Sequence, residues 1–337
     1  MTSRELVRRT IERDRPARVP RHTWVLPWAE QRYPDWLARL RREFPDDLVT
    51  VPQLYREPLP VVGNRYEEGD YIDEWGCCFR NVHGGVIGIT SKPLIGDWSQ
   101  LDGFRTPEAP LLVDAEAVRD FCRGTDQFTL AGTFVRPFER LQFIRDMEQA
   151  MMDLAEEPPE LLELLRRLHA HYVREVEAWA RTDVDAIVIM DDWGGQQGML
   201  VSPRIFRRHF LPMYEEYVAI ARRYGKLVFM HSDGNILDIM DDLIAIGIDA
   251  LNSQVFCMGV EEVGRRFAGR ITFWGEIDRQ VLLSRGTLAE IEQAVRDVRR
   301  HLYVDGGVIA ECEFGPGSRP ENVLHVFETW REIDAGS

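Results

Sequence analysis

A chain of 337 residues, 45% hydrophobic and 29% charged, has ordinary globular composition, which excludes disordered and fibrous classes. Its 56 acidic residues against 41 basic ones leave a formal charge of −15 at pH 7, a field that repels phosphate and disfavours a nucleic-acid partner. No uncharged run approaches the roughly 18–20 residues a bilayer demands, the opening MTSRELVRRTIERDRPARVP has no apolar signal core, and Cys77, Cys78, Cys122, Cys257 and Cys312 form no CxxC pair, so a cytoplasmic protein with reduced thiols and no membrane partner is expected.

Residues 3–14 carry Leu6, Val7 and Ile11 at helical spacing and predict a first helix that ends before Pro16. Eight short apolar runs then predict strands at 22–26, 47–51, 128–131, 186–190, 227–231, 250–252, 271–274 and 308–312. Runs such as AIVIM and KLVFMH are apolar on both faces, as strands buried inside and covered outside must be. Residues 70–97 break the rhythm and read as a β-hairpin turning at His83-Gly84-Gly85. Between the strands lie helices: one opened by Ser202-Pro203, one over 235–246 stopped by Gly247, and one begun by the capping box Thr287/Glu290. The pattern predicts an α/β fold, a (β/α)8 TIM barrel with an N-terminal helical extension and an inserted β-hairpin, as one domain over 1–337.

In a parallel barrel, polar residues just past the strand ends converge on one mouth. Here they are Asp191-Asp192-Trp193, His231-Ser232-Asp233, Asn252-Ser253-Gln254, Glu276-Ile277-Asp278 and Glu311-Cys312-Glu313. His231, Asp233, Cys312 and Glu276 offer an imidazole, carboxylates and a thiolate suited to a divalent ion such as zinc; hydrogen-bonded groups in a wet pocket are the plainer alternative. Asp191, Asp192, Asp233 and Glu276 are candidate catalytic carboxylates, although an Asp there can equally cap the next helix. Trp193, Asn252 and Gln254 are candidate cofactor contacts, with Trp75 and Trp274 as further flat surfaces or core. Gly194, Gly195 and Gly198 precede no Lys-Ser/Thr, which argues against a nucleotide site. Arg136, Arg279 and Arg319 follow strands and could clamp an anion, though surface solvation is the ordinary role. His83, beside two glycines, reads as a turn residue.

The stretches VIMDDWGGQQGMLVSPRIF, KLVFMHSDGNI, ITFWGEIDRQVLLSRGT and ECEFGPGSRPENV, spread over 185–330, together resemble the uroporphyrinogen decarboxylase-like superfamily; RPARVP and DEWG extend the resemblance weakly. That superfamily includes decarboxylases and corrinoid-dependent methyltransferases. In the methyltransferase branch, H-x-C-G after the fifth strand and a Cys near the eighth hold a zinc that activates a thiol. The matching positions here are His231, Asp233-Gly234 and Cys312, so an aspartate stands where the branch has one cysteine. A carboxylate donates less charge to a metal than a thiolate, and Asp233 could instead serve a nitrogen acceptor such as a folate. Decarboxylases of the family carry an Arg-rich segment close to RQAGRY; the matching WVLPWAEQRYPDW keeps only Arg32-Tyr33, and an acidic mouth suits a many-fold anionic porphyrinogen poorly. The resemblance implies methyl transfer between methylcobalamin, carried by a separate corrinoid protein, and a small thiol or folate acceptor. Its alternatives are decarboxylation of a tetrapyrrole or other small acid, and a non-catalytic subunit that only binds a corrinoid or ligand. A homodimer is expected on the same ground.

Overall fold

The computed structural model describes residues 1–336. Eleven strands form, in chain order, β1 (Arg21–Val25), β2 (Leu48–Thr50), β3 (Gly69–Ile72), β4 (Cys78–Asn81), β5 (Ile89–Lys92), β6 (Phe128–Leu130), β7 (Ala186–Met190), β8 (Leu227–Ser232), β9 (Ala250–Ser253), β10 (Thr272–Trp274) and β11 (Val308–Phe314). Eight of them pair in the order β1-β11-β10-β9-β8-β7-β6-β2, every neighbour parallel. With helices between them, these make a nearly closed (β/α)8 barrel, as the sequence predicts.

Two buried clusters explain why the runs are apolar on both faces. Leu48, Phe128, Leu130, Ala186, Val188, Phe229, Ala250, Trp274 and Ile309 fill the barrel interior. Their alternates on the same strands, such as Ile187, Ile189, Val228, Met230 and Leu251, pack outward with the helices. The first helix, Ser3–Glu12, opens with a capping box between Thr2 and Glu5 and sends Val7 and Ile11 into the interior cluster. Arg4 and Arg8 tie it to Asp185, just ahead of β7, at 2.9 and 2.6 Å, which places this helix at the amino-terminal end of the barrel.

The barrel has one seam. The β1 amides facing β2 do not join a ladder: Arg21 N–H donates to Asp47 Oδ2 (2.8 Å) and Thr23 N–H to Asp46 Oδ1 (2.7 Å). Only Asp47 N–H reaches the Arg21 carbonyl, at 2.8 Å. Two aspartate side chains thus stand where backbone pairing would close the ring.

Two expectations need correction. The insertion is a three-stranded antiparallel sheet, β3-β4-β5, not a two-stranded hairpin. Besides the turn near His83, a second turn forms at Trp75-Gly76, where Asp73 accepts the N–H groups of Trp75 and Cys77. The helix expected over 235–246 spans only Met240–Ile246. Asn235 Oδ1 accepts Leu237 N–H at 3.2 Å and holds the preceding residues in a turn. Gly247 ends that helix at φ 95°, and the Thr287/Glu290 capping box forms as expected. No described helix is long and apolar enough to cross a membrane.

Candidate functional site

Strand alternation decides which tip residues face the mouth. On β8, Leu227 and Phe229 belong to the interior cluster, so His231 two residues on shares their face. Its register partner on β9 is Asn252, and their side chains meet, Nδ1 to Oδ1, at 2.5 Å. Asn252 spends its Nδ2 hydrogens on the Trp274 carbonyl and on Glu311 Oε2, so its oxygen must accept and His231 Nδ1 must carry the hydrogen. That leaves Nε2 facing Asp192 Oδ1 at 3.4 Å and Asp233 Oδ1 at 3.6 Å.

The two carboxylates are brought together by touching loops. Asp233 N–H donates to Asp192 Oδ1 at 2.8 Å, Gly194 N–H to the Asp233 carbonyl at 3.1 Å, and Asn235 N–H to the Gly195 carbonyl at 2.8 Å. The backbones at Gly194 and Gly234 approach so closely that a Cβ on Gly234 would sit 2.2 Å from the Gly194 carbonyl carbon, and Gly234 has φ +76°. These glycines therefore serve loop crossing, not phosphate binding.

A second tier supports the first. Gln254 Nε2 donates to Asp233 Oδ1 at 3.1 Å. Arg279 bonds Asp233 Oδ2 and Glu313 Oε2 and lies 3.7 Å from Glu276. Gly275 lets the chain pass Glu311: a Cβ there would lie 2.1 Å from Glu311 Oε2. Arg279, Glu276, Gln254 and Cys257 line a small cavity of about 160 Å³ beside the cluster. Trp24 covers the other side, its ring 5.2 Å from that of His231 and stacked on Trp274 at 5.7 Å.

Electrostatics follow from this packing. Burial opposes a charge on His231, but the hydrogen bond and charge of Asp192, then the charge of Asp233, outweigh it and raise the imidazole to about 10. Burial is also the largest influence on Glu276, which rises to about 7 with the nearby Asp233 charge adding to it and Arg279 working against it. Burial raises Glu311 well above the usual carboxylate range, and Glu276 and Glu313 push the same way.

Of the residues expected at the site, Asp192, His231, Asp233, Asn252, Gln254 and Glu276 gather here. Three do not. Asp191 turns to the helix layer, where its carboxylate accepts the N–H groups of Phe138 (2.9 Å) and Glu139 (2.7 Å) and the Tyr214 hydroxyl (2.6 Å). Trp193 is buried against Phe138, rings 4.1 Å apart, with its indole N–H on Tyr214. Cys312 alternates with Glu311 and Glu313, whose side chains face the mouth, and so packs outward in the buried core. Catalysis by Asp191, a cofactor contact by Trp193 and a metal bond from Cys312 are corrected accordingly. Glu276 turns toward Arg279, and among the described residues the group that could hold an ion is Asp192, His231 and Asp233, with ligand atoms within 4.8 Å of one another.

Glu311 and Glu313, expected at the mouth but given no role there, and Arg279, expected only as an anion clamp, complete the site, with Trp24 as the residue sequence reasoning missed; the period-two alternation of Glu311-Cys312-Glu313 was the signal that the two glutamates share a face. Arg136 stays near the mouth, 3.5 Å from Glu139, whereas Arg319 is exposed. Trp75 is core, under the Arg140 guanidinium, and His83 is exposed in its bend.

A uroporphyrinogen decarboxylase from Edwardsiella ictaluri is 28% identical over 171 residues, 49% of this chain and 45% of that protein, so the match spans about half the length of that relative. A methyltransferase from Methanosarcina mazei superposes with a TM-score of 0.69 at 16% identity, over 99% of each chain, and shares the fold. A looser likeness, TM-score 0.38 at 14% identity over 65% of this chain and 84% of the other, is to a 3-keto-D-glucoside 4-epimerase from E. coli. The family described as uroporphyrinogen decarboxylase (URO-D) matches residues 74–333, and the chain belongs to it.

Proposed function

We propose that this protein is a cytoplasmic methyltransferase that moves a methyl group between a corrinoid, methylcobalamin or one carried by a partner protein, and a small acceptor. The observation that supports it is the cluster of Asp192, His231 and Asp233 at the strand tips, three metal-type ligands backed by Asn252 and Gln254. The set fits zinc: tetrahedral bonds of about 2.0–2.2 Å put ligand atoms roughly 3.3–3.6 Å apart, and His231 Nε2 lies 3.4 and 3.6 Å from the two carboxylates. Asn252 fixes the imidazole as outer partners of metal-bound histidines do. Without a cysteine the set is harder than a thiolate site and suits an oxygen or nitrogen acceptor as well as a thiol. A divalent ion here would supply Lewis acidity, lowering the pKa of the acceptor's proton.

The chain's own groups do the rest. Gln254 and Arg279 hold Asp233 in place, and Asn252 holds His231. Glu276, raised to about 7, is poised to take the acceptor's proton on its carboxylate as the new bond to the methyl carbon forms and the cobalt–carbon electron pair stays with cobalt. The same protonated Glu276 supports the second reading, decarboxylation, where it would protonate the carbanion left by carbon dioxide. Against a porphyrinogen, Arg279 is already shared among carboxylates.

The test is to incubate zinc-loaded protein with methylcobalamin and a panel of thiols, folates and phenols while following the corrinoid spectrum, and in parallel to assay carbon dioxide release from uroporphyrinogen. Demethylation dependent on one acceptor, lost in Asp233→Ala, is expected. Carbon dioxide release with an unchanged corrinoid spectrum would transfer the assignment to decarboxylation.

A further inference from the structure

The seam between β1 and β2 opens into a cavity of about 450 Å³ inside the barrel wall, within the roughly 300–1,000 Å³ of small-molecule sites. Its inner wall is Trp24, Leu130, Phe134, Val188 and Trp274; Thr50 stands exposed at its entrance. Trp24 also touches His231, so the cavity's inner end lies one ring away from the strand-tip cluster.

We infer that this seam cavity binds a monocyclic aromatic compound that bears a hydroxyl or comparable polar group and no negative charge, its ring against Trp24 and Trp274. The polar lining sets that preference. Trp274 Nε1–H donates to His22 Nδ1 at 3.2 Å, so the His22 hydrogen sits on Nε2, which has no protein partner among the described residues and offers one donor to a ligand. Burial pushes His22 down to about 4, which keeps it neutral. Asp46 accepts Thr23 N–H through one oxygen, and the Thr23 side chain bonds the same carboxyl group. At the outer rim Glu30 and Arg41 pair with each other at 3.0 Å. The lining therefore presents aromatic faces, one neutral donor and one carboxyl group, with its only lining guanidinium already paired; a carboxylate on the ring would find no counter-ion. At this wall the side chains of Asp46 and Asp47, not a backbone ladder, join β1 to β2.

That the bound ring is the methyl acceptor rests on the function proposed above; that the seam binds it does not. The experiment titrates the full-length protein with p-cresol and benzoate at neutral pH, reading the fluorescence of the wall tryptophans, with calorimetry as a check. Saturable quenching by p-cresol, about ten-fold tighter than by benzoate, is expected. Thr50→Trp, which stoppers the entrance from an exposed position, and Val188→Phe, which fills the inner wall, should each weaken p-cresol by at least about ten-fold, a loss of roughly 1.4 kcal/mol. Thr50→Trp guards against a Val188→Phe protein that fails to fold. Equal binding of benzoate, or p-cresol binding indifferent to Thr50→Trp, would overturn the inference. Binding of p-cresol without its methylation would keep the site and remove only its role as acceptor.

Discussion

Arg279 links Asp233, Glu276 and Glu313 in a half-buried knot, so its removal leaves carboxylates facing one another without a counter-charge. Arg279→Met is expected to lower stability by about 2–4 kcal/mol at pH 8. Because burial raises Glu276 to about 7 and raises Glu313 as well, these groups take up protons on acidification, and the loss should shrink at pH 5; urea unfolding at the two pH values checks this. For the ion itself, Asp233→Ala should abolish zinc retention in metal analysis while Cys312→Ala keeps it, since Cys312 packs on the outer face of β11. Equal zinc loss in both variants would refute the ligand set. Sequence position alone brought Asp191 and Asp192 forward together. They divide between helix layer and mouth because adjacent residues at a strand end point opposite ways, and a strand end uncertain by one residue exchanges the two. His231 and Asp233 were legible because the six-residue, largely apolar strand that leads into them fixes that parity, and Asn252 because it ends the short run next to it.

Asp191 is consequential for the helix Pro137–Arg145, whose first free N–H groups it accepts while Tyr214 donates to it from another helix. Asp191→Ala should cost about 2–4 kcal/mol through the lost cap and the stranded hydroxyl, and Asp191→Asn about 1–2. Calorimetric melting measures both, and an Ala variant as stable as the parent would return Asp191 to the list of functional carboxylates. At this scale the strands were readable from their two-faced apolar runs. The turn at Trp75-Gly76 and the unwound stretch before Met240 were not, because each depends on a single side chain, Asp73 or Asn235, capturing a backbone N–H that the pattern of apolar residues assigns to a strand or helix.

At the scale of the whole barrel, closure depends on Asp46 and Asp47. Burial lifts Asp46 from its ordinary 3.8 to about 7, with the Thr23 amide opposing. A raised acid favours the folded state most where the proton is held in both states; as pH rises from about 4 to about 7 the unfolded chain releases it first and stability falls. Asp46→Asn removes that loss, so the variant should gain about 1–2 kcal/mol on the parent between pH 5 and pH 8, read from denaturant midpoints. An unchanged difference would mean that Asp46 titrates normally. The seam was invisible beforehand, since the eight-strand count says nothing about which neighbours forgo their ladder.

The opposite end of the barrel is closed by a helix, not by strands. Val7 and Ile11 rest on the interior cluster, and the grip of Arg4 and Arg8 on Asp185 keeps them there. Prising that stopper loose, by Asp185→Ala or by deleting the first dozen residues, would uncork an oily shaft: the molecule should begin to take up a dye such as anilinonaphthalene sulfonate while most of its far-ultraviolet dichroism survives.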